Sequence, residues 1–254
     1  MTSSPPSRAV LVTGASRGIG RAVASAFAAA GDRVAVHWGT SRERAEAVLA
    51  GLPGDGHVLV QADLGDADAV GRMVDEAAAA LGGLQVLVNN AGVFTAHPPL
   101  SVSYEEWQAA WSRTLAVNLL GAANATFRAV PHLVAAGGGA IVNVSSRGAF
   151  RGEPDTPAYG ASKAGLNAFG QSMAIALAPH GISVGTVAPG FVQTEMAREV
   201  LDGPGGDAVR AQSPYGRVAR PEEVASAVLW LASPDARFST GTIVDVNGAS
   251  YLRS

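Results

Sequence analysis

The sequence predicts an α/β domain built on a parallel, doubly wound sheet, and three observations predict it. Short apolar runs rich in β-branched residues alternate with alanine-rich amphipathic stretches along the whole chain. The runs are almost continuously apolar, which suits strands covered on both faces. The stretches between them are long enough for the crossover helices that parallel strands need. With 254 residues, 48% of them hydrophobic and 15% charged, the chain has the composition of a folded protein with a sizeable core.

Taken in order, residues 1–8 read as a loose tail, and residues 9–254 as one domain. The first strand is AVLVT, from Ala9, followed by a helix over about 18–30. RVAVHW is the second strand, with a helix over 41–51; HVLVQAD is the third, with a helix over 66–81. LQVLVNN is the fourth, and a long helical region over 103–130 follows it until AAGGGA, around Gly138, breaks the pattern. AIVNVSS, a helix over 157–178 and ISVGTVAP come next. The segment from about 191 to 215, with the breaker GPGG around Gly205, is too long for a tight connection and reads as a lid or substrate loop. A helix over 221–232 and the strand TIVDVNG complete seven strands flanked by helices.

Charge and composition exclude several roles. A net charge of -3 without any basic cluster argues against nucleic acid or an anionic membrane as partner. The opening MTSSPPSRAV lacks the regions of a secretory signal, and no run of about 18 apolar residues offers a membrane span, so a cytoplasmic protein is expected. Zero cysteines exclude disulfides, thiolate metal ligands and cysteine nucleophiles. No metal site is expected, because no acids or histidines stand at ligand spacing around His97, which is read with Phe94 as lining a substrate cleft.

Directly after the first strand stands TGASRGIG, with Gly14, Ser16, Arg17, Gly18, Ile19 and Gly20 leading into a helix. A backbone that must turn tightly and approach a pyrophosphate needs glycine, and the helix start then supplies free N–H groups and the positive end of the helix dipole. The end of the second strand, where an acid would take a ribose hydroxyl of NAD, reads HWGTSRER and has no carboxylate before Glu43. A 2′-phosphate would instead meet Arg17, Arg42 and the hydroxyl of Ser41, which favours NADP(H) over NAD(H). Arg42 and Arg44 also have a plainer reading, as the solvated face of the second helix beside Glu43 and Glu46. Asp63 and Leu64 end the third strand where an adenine would lie, and Asn90, Ala91 and Gly92 end the fourth beside a ribose.

At the other end of the sheet, Tyr159 follows Ser146 by thirteen residues and precedes Lys163 by four. On a helix that last spacing puts both side chains on one face, about 6 Å apart along the axis. A nearby ammonium stabilises a phenolate, and moving a tyrosine pKa from about 10 to about 7–8 takes about 3–4 kcal/mol. Such a tyrosine protonates a carbonyl oxygen as hydride arrives, or deprotonates an alcohol in reverse, while a serine hydroxyl holds the same oxygen. Taken singly, each of the three has an ordinary structural reading; together with the glycine loop they point to one site.

These motifs, TGASRGIG, NNAG, VNVSS, YGASK, APGFVQT and GRVARPEEVASAVLWLAS, resemble those of the short-chain dehydrogenase/reductase family over essentially the whole chain. The resemblance implies a Rossmann fold and a tetrad of Asn118, Ser146, Tyr159 and Lys163, with Lys163 and Tyr159 also contacting the nicotinamide ribose and Asn118 holding a water behind the lysine. It implies that Pro189, Gly190, Val192 and Thr194 meet the nicotinamide end, and that Arg17 matches members preferring NADP. A homotetramer, or a homodimer, is the implied assembly, although NGASYLR replaces the frequent DGG near the C-terminus. The expected activity is NADP(H)-dependent interconversion of a ketone and a secondary alcohol on a small molecule, as in a carbonyl reductase. A 3-oxoacyl carrier-protein reductase is the alternative enzyme, against which the uncharged HLVAAGGGA speaks, since an acidic carrier needs a basic docking patch. A non-catalytic NADP sensor is the alternative of another class.

Overall fold

A computed structural model describes residues 7–253. Seven strands form one parallel sheet: β1 (Ala9–Val12), β2 (Arg33–Trp38), β3 (Val58–Gln61), β4 (Val86–Asn89), β5 (Gly139–Val144), β6 (Ile182–Pro189) and β7 (Ile243–Val246). Their order is β3-β2-β1-β4-β5-β6-β7, so the direction of winding reverses between β1 and β4. Ligands of open parallel sheets bind outside the carboxyl ends of the strands at such a reversal.

Alternation along each strand explains the two layers of helices. Val10 and Val12 face one side with Val34, Val36, Val86 and Val88, where α1 (Gly18–Ala29), α2 (Arg42–Ala50) and α9 (Pro221–Leu231) cover them. Leu11, Leu87 and Ile141 face the other side, under α3 (Ala67–Leu81), α5 (Gly121–Ala135) and α6 (Pro157–Leu177). Phe27 on one face and Met73 on the other are fully buried anchors.

Three sequence expectations change. Arg8, assigned to the loose tail, is part of the fold: its guanidinium pairs with Asp32 at 2.7 Å and donates to Ala232 O. Residues 1–6 of that expected tail lie outside the described residues. The single helix expected over 103–130 is three pieces: α4 (Tyr104–Leu115), a π turn at Ala116–Leu120, and α5, which continues through Pro131 to Ala135. Leu133, fully buried, holds that last turn on the sheet beyond Pro131, past the expected end near residue 130. The 191–215 segment, where the sequence predicts no helix, carries α7 (Glu195–Asp202) and the single turn α8 (Gly206–Arg210).

Candidate active site

The glycine loop owes its form to close backbone contacts. Gly14 and Gly18 take left-handed φ values of 64° and 55°. A Cβ on Gly14 would stand 2.8 Å from Ala91 Cα, and one on Gly20 would stand 2.2 Å from Gly14 O, so β1, α1 and the NNAG turn close on each other only without side chains. Arg17 at the N-cap of α1 is extended and gives no side-chain cap, which leaves the first N–H groups of this helix facing the cleft. α3, by contrast, is capped by Asp66 through Asp68 N and Ala69 N. Asn90 fastens the loop, its Nδ2 donating to Thr13 O at 2.8 Å. Its neighbour Asn89 points instead into the core, donating to Asn143 Oδ1 and Thr126 Oγ1.

A residue missed from the sequence completes this end. His37, 2% exposed in the middle of β2's apolar run, accepts the Gly14 N–H at Nδ1 and donates from Nε2 to Ala62 O. Burial lowers its pKa from 6.5 to about 4 against a small opposing pull from the Ala62 carbonyl, so it stays neutral. A histidine standing alone in an apolar strand run was the available signal.

At the rim, Arg44 lines the cleft, and Arg42 does not. Arg42 Nε instead pairs with Glu46 at 2.7 Å on the outer face of α2. Arg17 and Arg44 converge on a single oxygen, Glu195 Oε2 of α7, at 3.7 and 2.8 Å. Asp63 also lines the cleft; its carboxylate takes the Arg113 guanidinium at 2.9 Å and the Gly65 N–H, which hold its pKa below the usual range, Arg113 most strongly.

The reactive end gathers at the carboxyl end of β5. Ser146 caps a short 3₁₀ turn, its Oγ accepting the Gly148 N–H at 3.0 Å, which leaves the hydroxyl proton free to donate elsewhere. Ser145, its neighbour, turns away and donates to Lys163 O. Lys163 Nζ, buried, donates to Val144 O at 2.9 Å and lies 5.7 Å from the Tyr159 ring centre. Burial lowers its pKa to about 8. The lowered tyrosine pKa expected from the sequence is not what this environment produces. Burial pushes the Tyr159 phenol up, the Ser146 hydroxyl pulls it down, and the Glu153 carboxylate pushes it up again.

Asn118 sits in the π turn behind the cleft, 1% exposed. It accepts from Val93 N at 2.8 Å and donates to Val93 O and Ser162 Oγ, so it ties the β4 loop to α6. π turns commonly mark functional positions within helices. Phe94 packs edge-on against Tyr159, with ring centres 4.9 Å apart. His97 does not line the cleft as expected: it is buried, spends Nδ1 on Thr95 O, and accepts the Ala158 N–H at Nε2. It thereby caps α6, whose own N-cap, Thr156, makes no side-chain bond.

The glycine loop, Arg17, Arg44, Asp63, Ser146, Tyr159 and Lys163 open on one cleft of about 530 Å³ at the winding reversal. Every residue the sequence marked for cofactor contact lines it except Arg42, as do Ser146, Tyr159 and Lys163; Asn118 stands behind it. The loop fits a dinucleotide phosphate, because its tight turn closes only without side chains and the uncapped N–H groups at the start of α1 are left to meet an anion.

Known proteins resemble the chain over nearly its full length. A model of the family described as enoyl-(acyl carrier protein) reductase matches residues 14–249. A 3-oxoacyl-(acyl-carrier-protein) reductase of Staphylococcus aureus is 37% identical over 96% of this chain and 98% of its own. A cis-4-hydroxycyclohexanecarboxylate dehydrogenase of Sinomonas cyclohexanicum is 41% identical over 95% of each chain. A short chain dehydrogenase from Burkholderia cenocepacia, solved in complex with NADP, superposes with a TM-score of 0.85 at 37% identity, over 96% of this chain and 97% of that one.

Proposed function

The chain belongs to the short-chain dehydrogenase/reductase family, oxidoreductases acting on carbonyl and alcohol groups, and from that premise we propose an NADP(H)-dependent enzyme that interconverts a ketone and a secondary alcohol. The observation that carries this reading is the convergence of Ser146, Tyr159 and Lys163 on the same cleft as the glycine loop. The nicotinamide, when bound, supplies or accepts the hydride.

The chain's own residues do the rest. Ser146, whose oxygen is already occupied by the Gly148 N–H, donates its proton to the substrate oxygen and orients it. Tyr159, kept protonated by burial, gives its phenolic proton to that oxygen during reduction and takes it back during oxidation. Lys163, fixed on Val144 O, holds positive charge beside the phenol and would bind ribose hydroxyls. Asn118 is a positioning residue, rigidly joining the β4 loop to the helix that carries Tyr159. The free N–H groups at the start of α1, with Gly14, Gly18 and Gly20, would hold the pyrophosphate.

NADP(H) is favoured over NAD(H) by the absence of a carboxylate from His37 to Arg42 and by Arg17 and Arg44. Two cations that already share one carboxylate oxygen would share a phosphate oxygen as readily. The NADP complex of the Burkholderia cenocepacia relative supports the same choice. The family resemblance also favours a homo-oligomer, tetramer or dimer, acting on a small molecule in the cytoplasm.

The test is turnover of ketones with NADPH and with NADH. Wild type should prefer NADPH. Tyr159→Phe should lower kcat by about 10²–10⁴-fold while its circular dichroism and NADPH binding persist. Full turnover by that variant would overturn the assignment. The acyl-carrier substrate is the second reading, favoured by the 37% identical Staphylococcus aureus reductase, and faster turnover of a 3-oxoacyl thioester than of simple ketones would establish it.

A further inference from the structure

Three carboxylates line the cleft, and they differ in their partners. Asp63 is held by Arg113, and Glu195 by Arg17 and Arg44. Glu153, in the loop between the 3₁₀ turn after Ser146 and the start of α6, has neither an ion pair nor a side-chain hydrogen bond among the described residues. It is nonetheless half-buried and close to the reacting groups. A Cβ on Gly148 would stand 3.0 Å from Glu153 Oε1 and 3.3 Å from Ser146 Oγ, so carboxylate and hydroxyl flank one small space. The carboxylate also acts on the Tyr159 phenol through space.

Two arginines stand near without pairing to it. Arg147 gives its Nη atoms to Ser250 Oγ and Gln212 Oε1 and lies over the Phe191 ring; Arg151 donates to the same Gln212 oxygen. Both are occupied by neutral acceptors. Their field tempers the carboxylate and disfavours a further cation, while the carboxylate itself disfavours an anion. A neutral hydrogen-bond donor satisfies both conditions. Around it the wall is apolar, made by Phe94, Phe191, Met196 and Val200.

The geometry points to Glu153 as a specificity-determining residue that accepts a hydrogen bond from a substrate hydroxyl close to the carbonyl carbon. The substrate class is then an uncharged hydroxyketone, or the corresponding diol in the reverse direction. This rests on the cleft being a carbonyl and alcohol site. A half-buried carboxylate left unpaired by a substrate lacking the hydroxyl disfavours that substrate, which is how polar sites discriminate strongly.

Hydroxyacetone, butanone and pyruvate offer a series of methyl ketones whose second substituent is hydroxymethyl, ethyl and carboxylate. With NADPH, wild type should show a kcat/KM for hydroxyacetone about 10- to 100-fold above that for butanone, with pyruvate lowest. In Glu153→Gln the hydroxyacetone-to-butanone ratio should fall about tenfold and pyruvate should gain. Calorimetric titration of propane-1,2-diol into the NADPH-saturated protein, where the cofactor cannot accept hydride, reads the same contact without turnover, and binding should weaken in the variant. Butanone turned over as well as hydroxyacetone, or a ratio unmoved by the substitution, would overturn the role of Glu153 and leave the reductase standing. No turnover of any ketone, with diol binding lost in Glu153→Gln, would uphold Glu153 and overturn the reaction. Neither turnover nor diol binding would overturn both.

Discussion

His37 shows how one side chain ties three strands together at the cofactor end. Its ring spans from Gly14, after β1, to Ala62, after β3, and it works only as the neutral tautomer that accepts at Nδ1. In the folded chain it resists protonation down to about pH 4, whereas the unfolded chain takes the proton near 6.5. Between these values the unfolded state binds more protons, so stability falls as pH drops from 6.5 towards 4, by about 3 kcal/mol in all. Urea unfolding at intervals from pH 7 to 4.5 should show this slope, and His37→Gln should flatten it. The arginines carry a different lesson. Arg42 and Arg44 were equally visible in the sequence, but the phase of α2, set by buried Ala45 and Val48, decides that Arg44 reaches the cleft and Arg42 meets Glu46.

At the scale of elements, the start of α6 is the one that places the proposed proton donor, since Tyr159 lies in its first turn. Its cap comes from His97, distant in sequence, because Thr156 supplies none. His97→Leu should nearly keep the buried volume but leave the Ala158 N–H unpaired, a cost of about 1–3 kcal/mol. Chemical denaturation measures that cost, and kcat should fall with it as the first turn loosens. The strands were legible in the sequence almost to the residue, because an apolar β-branched run has few other uses. The π turn was not. It arises where Asn118 must reach both Val93 and Ser162, and where Gly121, just after it, packs so close to Leu64 O that a Cβ would stand 2.6 Å away. Neither demand leaves a periodicity to read.

For the whole molecule, the parallel order with its reversal between β1 and β4 brings the glycine loop and the β5 serine to adjoining strand ends. Outside the core, Leu120, Phe127 and Ile175 remain 56%, 76% and 81% exposed on the layer formed by α5 and α6. Apolar side chains so placed favour association with a second copy. Light scattering after gel filtration should give a mass several times that of one chain, and Phe127→Glu should move it towards the monomer. The C-terminal departure from the family pattern also has a structural place. Tyr251 donates to Phe150 O, and Arg253 pairs with Asp245 at 2.8 Å, so the segment packs on the loop that carries Glu153. By itself the sequence determined the fold class, the glycine loop and which serine, tyrosine and lysine are proposed for the chemistry, because these depend on residue type and on short spacings along the chain. Tertiary structure alone decided which arginine of α2 faces the cleft, that His37 and His97 hold backbone N–H groups, and that Glu153 stands beside Ser146 without an ion pair among the described residues. Those depend on helix phase and on contacts between segments far apart in the chain, which local spacing does not encode.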